Sequence, residues 1–104
     1  MQNLTEGYVK EVIIWPEYFK RELSRRLGRR VPLSLALEKV DPKDLELACR
    51  NIDPECEVEI IEGKKYPRVW YVSNGWYAIV RLKKDISKNI LVKKIAEVLL
   101  KLRS

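Results

Sequence analysis

The stretch Asp41-Pro42-Lys43-Asp44-Leu45-Glu46-Leu47-Ala48-Cys49-Arg50-Asn51-Ile52, running on through Asp53-Pro54-Glu55-Cys56 into Glu57-Val58-Glu59-Ile60-Ile61, changes its hydrophobic period midway. Leu45, Ala48, Cys49 and Ile52 fall at i, i+3, i+4 and i+7, the one-sided stripe of an amphipathic helix. Asp41 stands at the N-cap, and Asp44 suits the positive end of the helix. Pro42 fits the first helical position, where the missing N–H would have had no partner. Asp53-Pro54 ends the run, because the residue before a proline is pushed out of helical geometry. Glu57 to Ile61 then alternates at first, as a strand does, and Glu62-Gly63 leads into a turn or loop.

On the N-terminal side, Val9-Lys10-Glu11-Val12-Ile13-Ile14-Trp15 is short, β-branched and aromatic, and Pro16 stops it: a strand and a break. Residues 16–40 form a long basic loop. Tyr18 or Phe19, Leu23 and Leu27 are spaced almost helically, but Gly28 closes the run, so short helical turns pinned by Phe19, Leu23 and Leu27 are expected. On the C-terminal side, Ser73-Asn74-Gly75 carries the Asn-Gly pair that a type I′ hairpin prefers. It lies between Val69–Val72 and Trp76–Leu82, a strand pair or one bent strand continuing from 57–61. Ser87 caps a final helix with the stripe Leu91, Ile95, Val98, Leu99 and Leu102, leaving Lys93, Lys94, Lys101 and Arg103 outside. The expected fold class is α+β: one domain over 1–104, ordered β-α-β-β-α, with a three-stranded, mainly antiparallel sheet and two helices packed on one face. Residues 1–8 lack a partner pattern and are expected to fray.

Charged side chains make up 35% of the 104 residues, against roughly 25% in an average protein. Lys and Arg total 21 and Asp and Glu 15, a net charge of +6, so polyanions are the first partner class to consider. There is no histidine, which removes Ser-His-Asp and Cys-His catalysis, imidazole acid–base chemistry and His-containing metal sites. Cys49 and Cys56 are too few for a four-thiolate zinc site, and are expected reduced with at least one buried. The N-terminus has no signal-peptide pattern, and the longest uncharged run, Val69 to Val80, is too short to span a bilayer. A cytoplasmic monomer without membrane insertion, cofactor, metal or enzymatic activity is expected.

The charge is not evenly spread. Residues 20–30 hold six bases and one acid, residues 44–62 hold seven acids against Arg50, and residues 63–84 hold six bases and no acid. The first basic block is rich in arginine, whose planar guanidinium matches phosphate bidentately and stacks on bases. Aromatics interleave both basic blocks: Trp15 and Tyr18 at the first, Tyr66 and Trp70 in the second. Cations beside rings suit RNA loops and single strands. Trp15, at a strand end, is expected in the core, whereas Tyr66-Pro67-Arg68 fits a loop tip. Neither G-x-G-x-x-G nor G-x-x-x-x-G-K-[ST] occurs, and the aromatic pattern of an RRM is missing from both later strands. Glu57 and Glu59 share one strand face and read as a solvent-facing edge, which leaves a carboxylate-metal nuclease little support. The other alternative is a protein-interaction module that docks a basic partner on the acidic 44–62 block.

Ile13-Ile14-Trp15-Pro16-Glu17-Tyr18, followed by Ser24-Arg25-Arg26-Leu27-Gly28-Arg29-Arg30-Val31-Pro32 and Leu35-Ala36-Leu37-Glu38-Lys39, resembles the signature of the signal recognition particle 19 kDa protein family, its short archaeal members above all. Tyr66-Pro67-Arg68 is similar to the family's second basic loop. The likeness runs from about residue 12 to 84; many relatives have proline directly after the Glu-Lys pair, where Val40-Asp41 intervenes here. The resemblance implies a β-α-β-β-α fold and a non-enzymatic subunit that clamps the tips of helices 6 and 8 of the particle's RNA. In doing so it prepares the site for the signal-sequence-binding GTPase, which it meets mainly through the RNA, in co-translational targeting to the membrane. It also implies that Tyr18, Lys20, Arg21, Arg25, Arg26, Arg29 and Arg30 meet phosphates and loop bases, while Lys64, Lys65, Tyr66 and Arg68 grip the neighbouring stem.

Overall fold

The computed structural model describes residues 7–67 and 75–103. Strands β1 (Lys10–Ile14), β2 (Glu57–Glu62) and β3 (Trp76–Leu82) and helices α1 (Pro42–Ile52) and α2 (Lys88–Arg103) follow the expected order, β-α-β-β-α. The sheet is antiparallel throughout, with β3 in the centre. Lys10 faces Leu82 across one edge of β3, and Glu57 faces Arg81 across the other.

The pleat sends Val12, Ile14, Ala78, Val80 and Leu82 to one face, and there they join Leu45, Ala48 and Cys49 of α1 and Leu91, Ile95 and Leu99 of α2 in one core. Both helices therefore lie on the same face of the sheet. Asp41 and Pro42 occupy the start of α1 as expected, although the Asp41 side chain makes no capping bond. Ser87 does cap α2, its hydroxyl accepting from the Ile90 N–H at 3.4 Å. The α2 stripe departs from expectation at its end: Val92 and Ala96 are buried, whereas Leu102 is 49% exposed. In the same last turn Leu100 still packs against the core, so only the side of the helix that carries Leu102 is left open.

The ladder partner of β3 is β2, from Glu62↔Trp76 onward. Residues 63–75 connect the two strands. The Val69–Val72 strand, most of the Ser73-Asn74-Gly75 turn, Arg68, Trp70, residues 1–6 and the Arg103 side chain lie outside the described residues.

The acidic 44–62 block is dispersed by this fold. Glu46 pairs with Arg50 at 2.9 Å, and Asp53 is buried. Glu57 and Glu59, on the open face of the sheet, join Glu11 around Arg81 at 3.3, 3.1 and 2.9 Å. The Arg81 guanidinium is almost covered, and its carboxylate partners, Glu59 foremost, hold it in the charged form against the cost of burial. Arg81→Met keeps the stem and leaves three carboxylates facing one another. The partners are half-exposed, so the expected loss of stability is modest, about 1–2 kcal/mol. It should shrink at 1 M salt, where the Debye length falls to about 3 Å. Urea midpoints at low and high salt check this.

Both cysteines are free and buried, the Cys49 thiol donating to Cys56. That hydrogen bond, reinforced by burial, pushes Cys49 up, and accepting it lowers Cys56 despite burial. The thiols are a packed pair inside the core.

Candidate nucleic-acid interface

Residues 16–40 look mobile by length and composition, yet their backbone is heavily tied. Three 3-10 turns, Pro16–Phe19, Arg25–Leu27 and Leu33–Leu35, punctuate the segment. Lys20 and Leu37 form an isolated bridge, with the Leu37 N–H donating to the Phe19 carbonyl and the Arg21 N–H to the Leu37 carbonyl, both at 2.7 Å. Phe19, Leu23, Val31, Ala36, Leu37 and Val40 are buried beneath it. Of the three pins read from the sequence, Phe19 and Leu23 are buried and Leu27 is half-buried. Ser24 caps the second turn, its hydroxyl accepting from the Leu27 N–H at 3.3 Å. Glu17 is also fully enclosed.

Tyr18 is placed differently from a base-stacking residue. It is 3% exposed. The Arg30 guanidinium lies 4.6 Å from its ring centroid, a cation–π distance, and Lys88 Nζ donates to its hydroxyl at 3.0 Å. Proline at the start of the 3-10 turn brings the ring inward, so Tyr18 acts as the post against which two cations are set. Lys88, from α2, was not among the sequence candidates; no local pattern says which loop a helix lysine faces.

The other first-loop cations divide by what holds them. Arg29 donates through Nε to the Val31 carbonyl and through Nη1 to the Leu23 carbonyl, each at 2.8 Å, and so braces the loop from inside. Arg21 donates to the Ala36 carbonyl at 3.4 Å and lies 3.8 Å from Glu38. Lys20 is half-buried, 4.0 Å from Glu22. Arg25, Arg26 and Arg30 are exposed.

In the second loop Lys64 and Lys65 are exposed, and the N–H groups of Gly63 and Lys64 both donate to the Gly75 carbonyl, at 2.9 and 3.1 Å. Tyr66 joins this loop to the first. Its ring lies 5.2 Å from Trp15 and 6.1 Å, edge-on, from Tyr18, while Trp15 stacks obliquely on Tyr77 at 4.8 Å. Trp15 is half-buried at the sheet end, short of a full core position. The first loop receives Tyr66 at Gly28, where a Cβ would sit 2.6 Å from Tyr66 Cε2. Gly28 also has φ +134°, which side-chain-bearing residues rarely adopt. The two basic segments, separated in sequence by α1 and β2, thus meet ring to backbone.

Two cationic loops joined at one end of an antiparallel sheet define a small α+β protein with a bipartite cationic surface. The chain belongs to the SRP19 protein family, whose family model matches residues 13–102. The signal recognition particle 19 kDa protein of Aeropyrum pernix is 34% identical, over 92% of this chain and 82% of its own length. That of Methanococcus aeolicus is 36% identical, over 86% and 96%. A crystal structure of SRP19 in complex with the S domain of signal recognition particle RNA superimposes with a TM-score of 0.68 at 37% identity, over 85% of this chain and 95% of the other. A further SRP19 structure, from Pyrococcus furiosus, shares the fold at a TM-score of 0.67, 24% identity and coverage of 90% and 91%. Among the described residues no helix is long and apolar enough to cross a membrane.

Proposed function

We propose that this protein is a non-enzymatic RNA-binding subunit of the signal recognition particle, acting in the cytoplasm as a monomer. It clamps the tips of RNA helices 6 and 8, one to each basic loop, and so prepares the RNA for the signal-sequence-binding GTPase in co-translational targeting. Arg25, Arg26, Arg30, Lys64 and Lys65 are its outward cations, and Arg68 is proposed as a further contact of the second loop. Lys20 and Arg21 stand at the loop's shoulder, and Tyr18, Arg29 and Tyr66 hold the surface in shape.

The observation that carries this reading is the seat of Tyr66 on Gly28. It holds two positive loops side by side in the free protein, although like charges resist such an approach. A surface built against that repulsion suits a ligand that brings many phosphates to one place, as two adjacent RNA hairpins do. The similarity to a structure solved with the particle's RNA agrees with it.

The test is a footprint on signal recognition particle RNA together with a salt titration. With roughly 6–8 phosphates engaged, affinity should fall about 10³–10⁵-fold between 50 and 200 mM salt. Protection should appear at both hairpin tips. A salt-insensitive complex, or protection at one tip only, would overturn the clamp.

A further inference from the structure

We propose that α2 supplies a third element of this surface: Asn89 and Lys93 close a notch with Arg25, Arg29 and Arg30 that receives a backbone phosphodiester of the RNA. The proposal rests on the RNA-binding reading and adds a site on the helix face that the sequence leaves outside the core.

The notch is a cavity of about 480 Å³ between the first basic loop and the start of α2, lined by Arg25, Arg29, Arg30, Pro32, Asn89 and Lys93. Pockets for neutral small molecules are mostly apolar with a few polar groups. This one has four cations, one amide and one proline, and no carboxylate. None of Arg25, Arg30 and Lys93 has an acidic ion-pair partner among the described residues. Four positive charges around one space repel one another unless an anion enters.

The charges are also held in position beforehand. Arg29 is fixed by its bonds to the Val31 and Leu23 carbonyls, so its guanidinium forms a rigid wall. Arg30 lies over the buried Tyr18 ring, and its own N–H donates to the Tyr18 carbonyl at 2.8 Å. Lys88 Nζ on the Tyr18 hydroxyl pins the first turn of α2 against the same post. Asn89 and Lys93 then stand four residues apart, one above the other on the helix side that faces the loop. The amide adds a donor without adding repulsion. Groups fixed before binding lose little freedom when an anion arrives, which raises affinity. Guanidinium forks favour phosphate geometry, and a phosphodiester would reach the notch while its neighbours lie along the loop.

The experiment measures affinity for the S-domain RNA against salt for the full chain and for Lys93→Ala, Asn89→Ala, Lys94→Ala and Arg25→Ala, with inorganic phosphate as a second probe. Lys94 does not line the notch, although it shares a neighbouring cavity with Asn89 and Lys93, and so serves as the control for charge on the same helix. Lys93 is exposed and alanine is a good helix former, so the variant should fold. Lys93→Ala should weaken binding about eight-fold at 0.1 M salt and lower the salt slope by about 0.9, the effect of one lost phosphate contact. Asn89→Ala should weaken binding without changing the slope, and Lys94→Ala should do neither. If Lys93→Ala leaves affinity and slope unchanged while Arg25→Ala weakens binding, the notch is refuted and the RNA reading stands. If Lys93→Ala alters only the response to inorganic phosphate, the site takes a free anion and the inference is again refuted. If the unmodified protein shows no salt-dependent RNA binding, the earlier reading itself falls.

Discussion

Gly28→Val is expected to lower the affinity for signal recognition particle RNA by about 60–500-fold at 0.1 M salt. The Cβ alone would approach Tyr66 Cε2 to 2.6 Å, Cζ to 3.2 Å and the hydroxyl oxygen to 3.3 Å. Tyr66 cannot simply swing aside, because Trp15 and Tyr18 pack against the same ring. The backbone offers no relief either: φ +134° strains any residue with a Cβ, a β-branched one most. The loops must separate, and a ligand held by both keeps only one. Losing two or three of the phosphate contacts, each about eight-fold at this salt, gives the stated range. Gly63→Ala is the matching control, since Gly63 also has positive φ (+79°) but nothing within 4 Å of its Cβ position. Equilibrium binding with a thermal melt on each variant separates loss of the clamp from loss of the fold. Tyr66→Ala should weaken binding too, and adding Gly28→Ala to it should cost much less than in the unmodified protein, because the clash is gone. Unchanged affinity in Gly28→Val would sink the junction.

The second large effect falls on stability, at Asp53. This carboxylate closes α1 and reaches across to the end of β3: Oδ1 accepts from the Glu55 N–H at 3.1 Å and Oδ2 from the Lys83 N–H at 2.8 Å. Asp53→Ala removes two charge-assisted bonds and strands the Lys83 N–H, which should cost about 3 kcal/mol. For a domain of this size that lowers the melting midpoint by about 12–24 °C. Burial by itself would raise the carboxyl's pKa. The N–H groups of Lys83, Glu55 and Lys84, helped by the Lys84 charge, outweigh burial and hold it below the ordinary 3.8. The sign follows. A depressed folded-state pKa contributes stability that is complete above the unfolded value and disappears as pH falls through the folded one. The gap between the unmodified protein and Asp53→Ala should therefore be widest above about pH 5 and shrink steadily below pH 4. A constant gap from pH 7 to pH 2.5, followed by thermal melts, would show that the carboxylate is not the tie.

What could be read from the chain was what short-range chemistry settles. Asp41-Pro42 and Ser87 mark helix starts because capping and proline act within one turn. The alternation in 57–61 marks a strand because the pleat has a period of two. Leu102 was assigned to the buried stripe because periodicity carries no record of which side of the last turn stays covered. Which strand β3 pairs with is not a local matter; β2 lies beside it, its Val58 and Ile60 set opposite Val80 and Ala78. The site divides in the same way. Composition located both basic loops but not the role of each side chain. Tyr18 lies beneath its cations and Arg29 is occupied by carbonyls of its own loop, both through contacts that form only once residues 16–40 fold back on themselves. Gly28 looked like a helix terminator, and its second role as the seat of Tyr66 needs a partner 38 residues away.

The central position of β3 has a consequence for how the molecule comes into being. Both edge strands must wait for it, and the Glu11–Arg81 pair bridges 70 residues of chain. On a ribosome, β1, the arginine-rich loop, α1 and β2 all emerge before the strand that unites them, and α2 arrives later still to cover the core. Topologies dominated by such distant pairings fold slowly, on the order of milliseconds to seconds. Until β3 emerges the chain has no sheet, and its arginine-rich loop is exposed to the ribosomal RNA around it, yet residues 1–75 carry as many acids as bases. The acids of residues 44–62, among them Glu46, Asp53, Glu57 and Glu59 that end as internal ties, travel between the two basic stretches during that interval and offset much of their charge.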